Sequence, residues 1–458
     1  MRKTILLVLL SASSCNVFSQ QDSILKKFKY RIDHFRAINL NANGGSNFNK
    51  TELVPDTYKA SSSSGSVSSS LYTLKSTDKT LLTTSSSISS QFSFNKSENI
   101  PNINKSRSFS TATQFSILNK WFSKKIFTEL GADISGNNYS NRNTSPTVPA
   151  NARNKQTGYI LSLRTGVGKG RLENITDMQN ALWLNKALTE AGRLSKSLSS
   201  DELHGLGRSI TKANNTRILD SRKRTQFMLE TVDNYLQGNG LISKNDITYF
   251  SNLNDILFFA FNNTRLAGTE KFIRFTPSIS GANNNNSQNT QNNPIDENEQ
   301  IPVTKSALLS IGFNNYKPVN LKHQNNYGGY LKFNYVSNKL TDKYFTAGVL
   351  VNEFNSSTTI KQAGVNLFYE HSFYPNTRTI VNLNLETEAG YQEAKQDTDF
   401  YGTAILSGNF NYFISYRTRL MIDVGAVYRK NIYNNSYQPV LFPDDTQLFV
   451  NAGLGISL

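Results

Sequence analysis

Thr379 to Gly390 reads TIVNLNLETEAG, and its alternation decides the fold class. Val381, Leu383, Leu385 and Ala389 fall on one face of an extended chain, and Asn382, Asn384, Glu386 and Glu388 on the other. A period of two is the side-chain period of a β-strand, so this stretch is predicted as a strand with one apolar and one polar side. The pattern recurs from about Phe35 to the C-terminus. Ile38, Leu40 and Ala42 alternate with Asn39 and Asn41, and Leu331, Phe333 and Tyr335 with Lys332 and Asn334. Leu420, Ile422, Val424, Ala426 and Tyr428 share a face opposite Asp423 and Arg429. Leu448, Val450, Ala452, Leu454, Ile456 and Leu458 give the closing stretch an unbroken apolar face. Many stretches reach the ~9–11 residues that a tilted strand needs to cross a bilayer's hydrocarbon.

Composition separates a membrane barrel from a soluble sandwich. Apolar residues make up only 37% of the chain, yet aromatics reach 11%, with 28 Phe and 21 Tyr. A disordered chain lacks such aromatics, and a soluble domain is usually more apolar. A membrane-spanning barrel accounts for both facts, because only one face of each strand meets lipid, the lumen is polar and aromatics gather at the two interfaces. The formal charge of +16 is dispersed, with few basic runs beyond Arg222-Lys223-Arg224. That argues against nucleic acid and suits outer-membrane lipid and anionic glycolipid as partners.

The first 19 residues read as a removed secretory signal. Arg2 and Lys3 precede the apolar run Thr4 to Ala12, and Val17 and Ser19 suit a cut before Gln20. A second reading takes Ala12-Ser13-Ser14-Cys15 as a lipoprotein box with Cys15 lipidated. Cys15 is the only cysteine, so a chain cut before Gln20 has no disulfide, no thiolate metal site and no cysteine nucleophile.

Connections of two lengths alternate along the chain. Short ones fall around 75–79, 119–124, 316–324, 374–378 and 416–419, and longer polar ones at 47–62, 95–107, 137–155, 281–305, 394–399 and 430–446. Outer-membrane barrels have short periplasmic turns and longer outside loops. Counting on this basis gives fourteen strands, with 12 to 16 as the range: 36–47, 65–75, 80–95, 107–119, 124–137, 156–169, 270–281, 305–316, 325–337, 361–374, 378–391, 399–415, 418–431 and 446–458. Phe345 to Glu353 is strand-like, but counted alone it breaks the parity, so it reads as an extension of an outside hairpin. The Asn-rich run Asn283 to Asn293 reads as an exposed flexible loop.

Between Arg171 and Arg265 the apolar period changes to about 3.6. Thr176 to Gln179 forms a capping box, T-x-x-Q, before an apolar stripe of Met178, Ala181, Leu182, Leu184, Leu188 and Ala191, and Gly192 ends the helix. Ser199 to Glu202 forms a second box, opening a helix near Asp201 to Ala213. A third helix is expected at about 215–237, stopped by Gly238 and Gly240, and a fourth at about 244–262. These four helices suffice for a small bundle. The domain plan is a signal at 1–19, N-terminal barrel strands at 20–170, a helical insert at 171–268, and strands completing the barrel at 269–458. Parity puts the insert in the periplasm, with a plug inside the barrel as the other placement.

The alternating strands, the apolar C-terminal strand and the turn YPNTRT at Tyr374 to Thr379 resemble outer-membrane β-barrel proteins of Bacteroidota. GVGKGRLENITD, Gly166 to Asp177, running into helices, resembles a barrel-plus-helices subgroup of them, which brings no assigned activity. The resemblance covers most of the chain and implies dependence on barrel-assembly machinery. The last residue, Leu458, departs from the aromatic that ends many assembly signals.

Catalytic patterns are weak. Gly166 to Arg171 fails the dinucleotide fingerprint at Arg171 and fails the P-loop because Gly170 follows Lys169. His34, His204, His323 and His371 form no H-x-x-x-H pair. His371 and Ser372 point to opposite strand faces, and no G-x-S-x-G has a nearby partner. No cofactor, metal or catalytic residue is expected. The candidate functional residues are lumen-lining: Asn382, Asn384, Glu386, Glu388, Asp423 and Arg429, which either tune a pore's preference or keep a polar interior soluble. The expected function is a porin-like channel for small solutes. A non-conducting barrel whose periplasmic bundle or outer loops bind a protein partner is the alternative, and an envelope hydrolase is a distant third.

Overall fold

One antiparallel ladder accounts for most of the molecule. In a computed structural model, fourteen strands pair strictly in chain order, from β1 to β14. The structure describes residues 20–52, 57–99, 102–145, 150–216, 218, 220–259, 264–290, 293–394, 397–415, 418–433 and 445–456. The signal at 1–19, Cys15 and Leu458 lie outside them. The strands are β1 (Ile32–Glu52), β2 (Thr57–Ser76), β3 (Thr80–Asn99), β4 (Asn102–Ser123), β5 (Ile126–Ser145), β6 (Ala150–Asn174) and β7 (Leu266–Thr290). They continue as β8 (Asn293–Pro318), β9 (His323–Thr346), β10 (Val349–Asn376), β11 (Thr379–Ala394), β12 (Asp397–Ser415), β13 (Thr418–Tyr433) and β14 (Asp445–Ile456). Among the described residues no backbone pairing joins β1 to β14. The expected all-β architecture of fourteen strands interrupted by a helical bundle is the one observed.

The strands are longer than their apolar pattern. Of the segment expected as a flexible loop, Asn283 to Asn293, the described residues are strand instead: Asn283–Asn286 in β7 pair with Thr157–Asn154 in β6, and Asn284–Gln288 pair with β8. The described residues of the polar connections at 47–62, 95–107 and 137–155 are likewise extensions of paired strands. Backbone hydrogen bonds hold a ladder whatever the side chains are, and hydroxyl and amide pairs add to it. Ser46 and Ser63 meet at 3.1 Å, Ser93 and Ser108 at 2.7 Å, and Asn283 donates to Glu299 at 2.7 Å. The apolar alternation marks only the part of each strand suited to lipid. Phe345 to Glu353 does extend a hairpin: Ala347 and Gly348, both at positive φ, turn β9 directly into β10. The 430–446 connection falls mostly outside the described residues.

The ladder is curved. Lys120 on β4 reaches Glu270 on β7, and Arg171 on β6 reaches the β2–β3 turn. Strands three apart lie ~14 Å from each other in a flat sheet, too far for side chains standing upright on it to meet. Leu383 is 50% exposed and Leu331 47%, on the convex side. The polar residues between them, such as Asn382 and Asn384, are only half-exposed. Every second residue of β6 at Gly166, Gly168 and Gly170 faces the concave side, where Gly168 leaves room for the Phe127 ring to lie against the wall.

The helices pack at one end of the ladder. A helix not anticipated from sequence, α1 (Gln20–Lys27), precedes β1. The insert holds α2 (Thr176–Glu190), α3 (Ser200–Asn215), α4 (Ser221–Gly238) and α5 (Ile247–Asn254), which runs into a π-turn at Asp255–Phe259. Their shared core is Met178, Leu184, Leu188, Leu206, Ile210, Val232, Leu236, Tyr249 and Leu253, with Leu25 and Phe28 entering from the N-terminal segment. Gly207 allows this entry, since a β-carbon there would lie 2.9 Å from Phe28 and 3.1 Å from the Met178 sulfur.

The capping expectations divide. Ser199 and Glu202 form the full reciprocal box. Thr176 is not the N-cap residue: Ile175 takes that position, and the Thr176 hydroxyl accepts from the Arg265 backbone N–H at 2.9 Å. Tertiary demand at the join between insert and barrel has taken the side chain that a local box would use. The third helix starts later than expected because Asp220 caps it, accepting from Arg222 N–H at 2.9 Å.

Candidate functional site

The six sequence-selected residues share the concave face. Register aligns Asn382 with Asn409 and Asp423, and Glu388 with Thr403 and Arg429. Asn384 and Glu386 continue the same side of β11. Glu386 accepts from Asn366 Nδ2 at 2.9 Å, and Glu388 pairs with Lys332 and accepts from Tyr401 Oη at 3.0 Å. Asp423 accepts from Asn409 Nδ2. The structure therefore brings Asn382 with Asp423, and Glu388 with Arg429, into two cross-strand rows, with Asn384 and Glu386 between them on β11 and no single focus.

A tighter charge cluster escaped the sequence reading. Lys120, Glu129, Glu270 and Arg274 come from β4, β5 and β7 and meet on the concave wall close to the helical end. Lys120 Nζ lies 2.7 Å from Glu270 and 3.5 Å from Glu129. Arg274 lies 2.5 Å from both carboxylates. The Glu129 side chain is wholly buried. Lys120 also sits 4.7 Å from the Phe127 ring centre and Arg274 3.7 Å from that of Phe272. Each carboxylate meets both cations, as burial of charge requires. Nothing local marks this cluster: Lys120 and Glu270 are 150 positions apart in chain order, and only the β4–β7 curvature makes them neighbours.

The helical end is closed by the chain itself. Arg31, just ahead of β1, forks onto Glu173 at 2.8 and 3.0 Å and reaches Asp78 in the β2–β3 turn at 2.8 Å. On another stretch of rim, buried Arg265 donates to the carbonyls of Asn320, Leu321 and His323 in the β8–β9 turn, and to Gln324 Oε1 at 2.6 Å. Its guanidinium lies over Tyr374. Asp255 pairs with Arg378 in the β10–β11 turn. Helix α1, tethered by a short linker to β1, touches β7 and β8, half-way along the ladder. The bundle and α1 thus span this mouth.

Within the bundle, two carboxylates are set apart by their surroundings. Asp177 is buried, which pushes its carboxyl up, against the pull of hydrogen bonds from Thr211 (2.7 Å) and Asn214 (2.8 Å). Asp246, held by Arg193 at 2.9 Å, is lowered to about 2.

At the opposite end, clefts are lined by amides and hydroxyls. Asn47, Ser61, Ser62, Asn95 and Asn104 surround one of them, with Lys96 and Lys105. Among the described residues no group of three or more His, Cys, Asp or Glu is placed to hold a metal. His323 and His371 lie beside each other on the convex side, with the His323 ring stacked on Phe373.

No protein-family model matches this chain, and no curated protein does. Among solved structures, it is similar to the ferric yersiniabactin uptake receptor FyuA from Yersinia pestis, at 7% identity and a TM-score of 0.33, over 87% of this chain and 61% of that one. The chain spans about three fifths of that receptor's length. It is also similar to a mutant of TodX, described as a monoaromatic hydrocarbon channel, at 9% identity and a TM-score of 0.27 over 92% of each chain. The translocator domain of the autotransporter NalP from Neisseria meningitidis matches at 10% identity and a TM-score of 0.22, over 89% of this chain and 96% of that one. Similarities this distant leave the reading of this chain to its own geometry.

Proposed function

We propose that this chain is an outer-membrane β-barrel that passes small hydrophilic solutes, with its periplasmic mouth gated by α1 and the helical bundle. The observation that carries the reading is the two-sided ladder: leucines and aromatics on the convex side, and rows of Asn, Ser, Glu, Lys and Arg on the concave side. Only a lipid-bounded barrel with a wet interior rewards that arrangement along so many strands. The even strand number puts both barrel ends on the side of the insert, which is the periplasmic side if export is by a cleaved signal. The amide- and hydroxyl-rich clefts at the far end suit uncharged polar solutes, and the paired charges of the concave wall suit modest ionic preference.

The spanned mouth supports a second reading, a non-conducting barrel whose bundle binds a periplasmic protein. Planar-bilayer recordings separate the two. The full chain and a version lacking 174–262 are compared after each is shown to be folded and inserted. Larger conductance steps after deletion support the gated channel. Silence in both moves the assignment to the interaction barrel. Protease added to intact cells checks orientation, since cleavage within 174–262 from outside overturns it.

A further inference from the structure

The N-terminal segment and α3 enclose a cleft of about 480 Å³ whose lining carries an excess of positive charge. Lys27, Lys29 and Arg31 form one wall, and His204, Arg208 and Lys212 the other, with Thr211, Asn215 and Thr216 beside them. Arg31 is already committed to Glu173 and Asp78. Among the described residues, Lys27, Lys29, Arg208 and Lys212 stand in no ion pair, and all four are exposed. The buried carboxylate of Asp177 lies behind this wall, accepting from Thr211 and Asn214, and does not itself line the cleft. The chain also does not need this charge for packing, since Leu25 and Phe28 supply the apolar contact between the same two elements.

We propose that this cleft binds a phosphate group, the cations of the two walls closing on it from opposite sides. Like charges gathered in a concave site repel one another unless an anion neutralises them, and low-dielectric walls focus their field onto whatever enters. Several flexible ammonium groups suit the spread oxygens of a phosphate better than one planar carboxylate, which favours a single arginine fork. The volume suits a headgroup or small phosphorylated molecule and is too small for a folded partner. The cleft opens where Ile32 leads into β1, at the rim of the strand ladder, so the phosphate can come from a lipid headgroup at the membrane surface or from a soluble phosphate ester.

The test uses the full chain in neutral detergent. Retention of phosphatidylglycerol against phosphatidylcholine is read by native mass spectrometry, and pyrophosphate binding by titration calorimetry. Each is repeated with Lys27→Gln/Lys29→Gln/Arg208→Gln/Lys212→Gln, and with the single variant Lys212→Glu, whose exposed position leaves the bundle core untouched. Selective retention of phosphatidylglycerol that falls by about tenfold or more in either variant supports a lipid source. Pyrophosphate binding that weakens similarly and falls with added salt, without lipid preference, supports a soluble one. Binding of neither probe, or binding indifferent to both variants in folded protein, overturns the proposal.

Discussion

Lys120 and Glu270, on strands three apart in the ladder, meet at 2.7 Å inside the concave wall, and Glu129 and Arg274 complete the pairing on either side. Removing one member leaves a buried charge uncompensated, whereas removing a pair does not. Lys120→Met is expected to cost about 3–5 kcal/mol, and Lys120→Met/Glu270→Leu markedly less, because the remaining Arg274 and Glu129 still neutralise each other. Urea unfolding in micelles, run as a double-mutant cycle, measures the coupling.

Gly168 is expected to tolerate no larger residue. A β-carbon there meets the Phe127 ring and the Lys271 carbonyl oxygen, so the neighbouring strands must part. Gly168→Val is expected to destabilise by roughly 1–3 kcal/mol or to block insertion outright. The yield of folded, inserted protein from refolding into vesicles is the readout.

Arg265 ties the bundle to the β8–β9 turn. Arg265→Met strands several buried carbonyls and should cost about 2–3 kcal/mol at that joint. Limited proteolysis should then cut within 174–262 much faster than in the parent, while the strand ladder stays resistant. Equal rates would show that the bundle does not rely on this anchor.

The bundle's stability should pass through a maximum in mildly acidic solution. Burial raises the Asp177 carboxyl, so the folded state takes up a proton first, and stability rises as pH falls from neutral toward the unfolded value of ~4. Asp246 and Glu202 have the opposite sign. Salt-bridge and cap contacts hold each at about 2, so the stability they supply is present above ~4 and is lost as pH falls toward 2. Asp177→Asn should remove the rise between neutral pH and ~4 and leave the acid loss in place. Trp183 fluorescence against denaturant at several pH values reads both limbs.

The reciprocal cap of α3 gives a local control. Ser199→Ala should lower bundle stability by about 1 kcal/mol without affecting the barrel, whereas Thr176→Ala acts on the Arg265 backbone contact and should loosen the bundle–barrel joint. A Thr176→Ala variant that changes proteolysis no more than Ser199→Ala does would argue against that division.

The sequence by itself determined the strand character of TIVNLNLETEAG, the count of fourteen, the position of the helices and the shared face of Glu386, Glu388, Asp423 and Arg429. Each is a matter of short-range periodicity, and side-chain alternation is written directly into adjacent residues. Strand length was not legible, because Asn283 to Thr290 carries no apolar alternation and is held by backbone pairing and amide–carboxylate contacts across the strands. Helix α1 was too short to announce itself and is stabilised by the core that Leu25 and Phe28 enter. Only the tertiary structure decided the partners of Lys120 and Arg265, the use of the Thr176 hydroxyl, the closing of one mouth and the meeting of Lys27 and Lys29 with Arg208 and Lys212. Those contacts depend on how far the ladder curls and where the bundle lands on its rim, which are sums over many distant residues and leave no local mark in the chain.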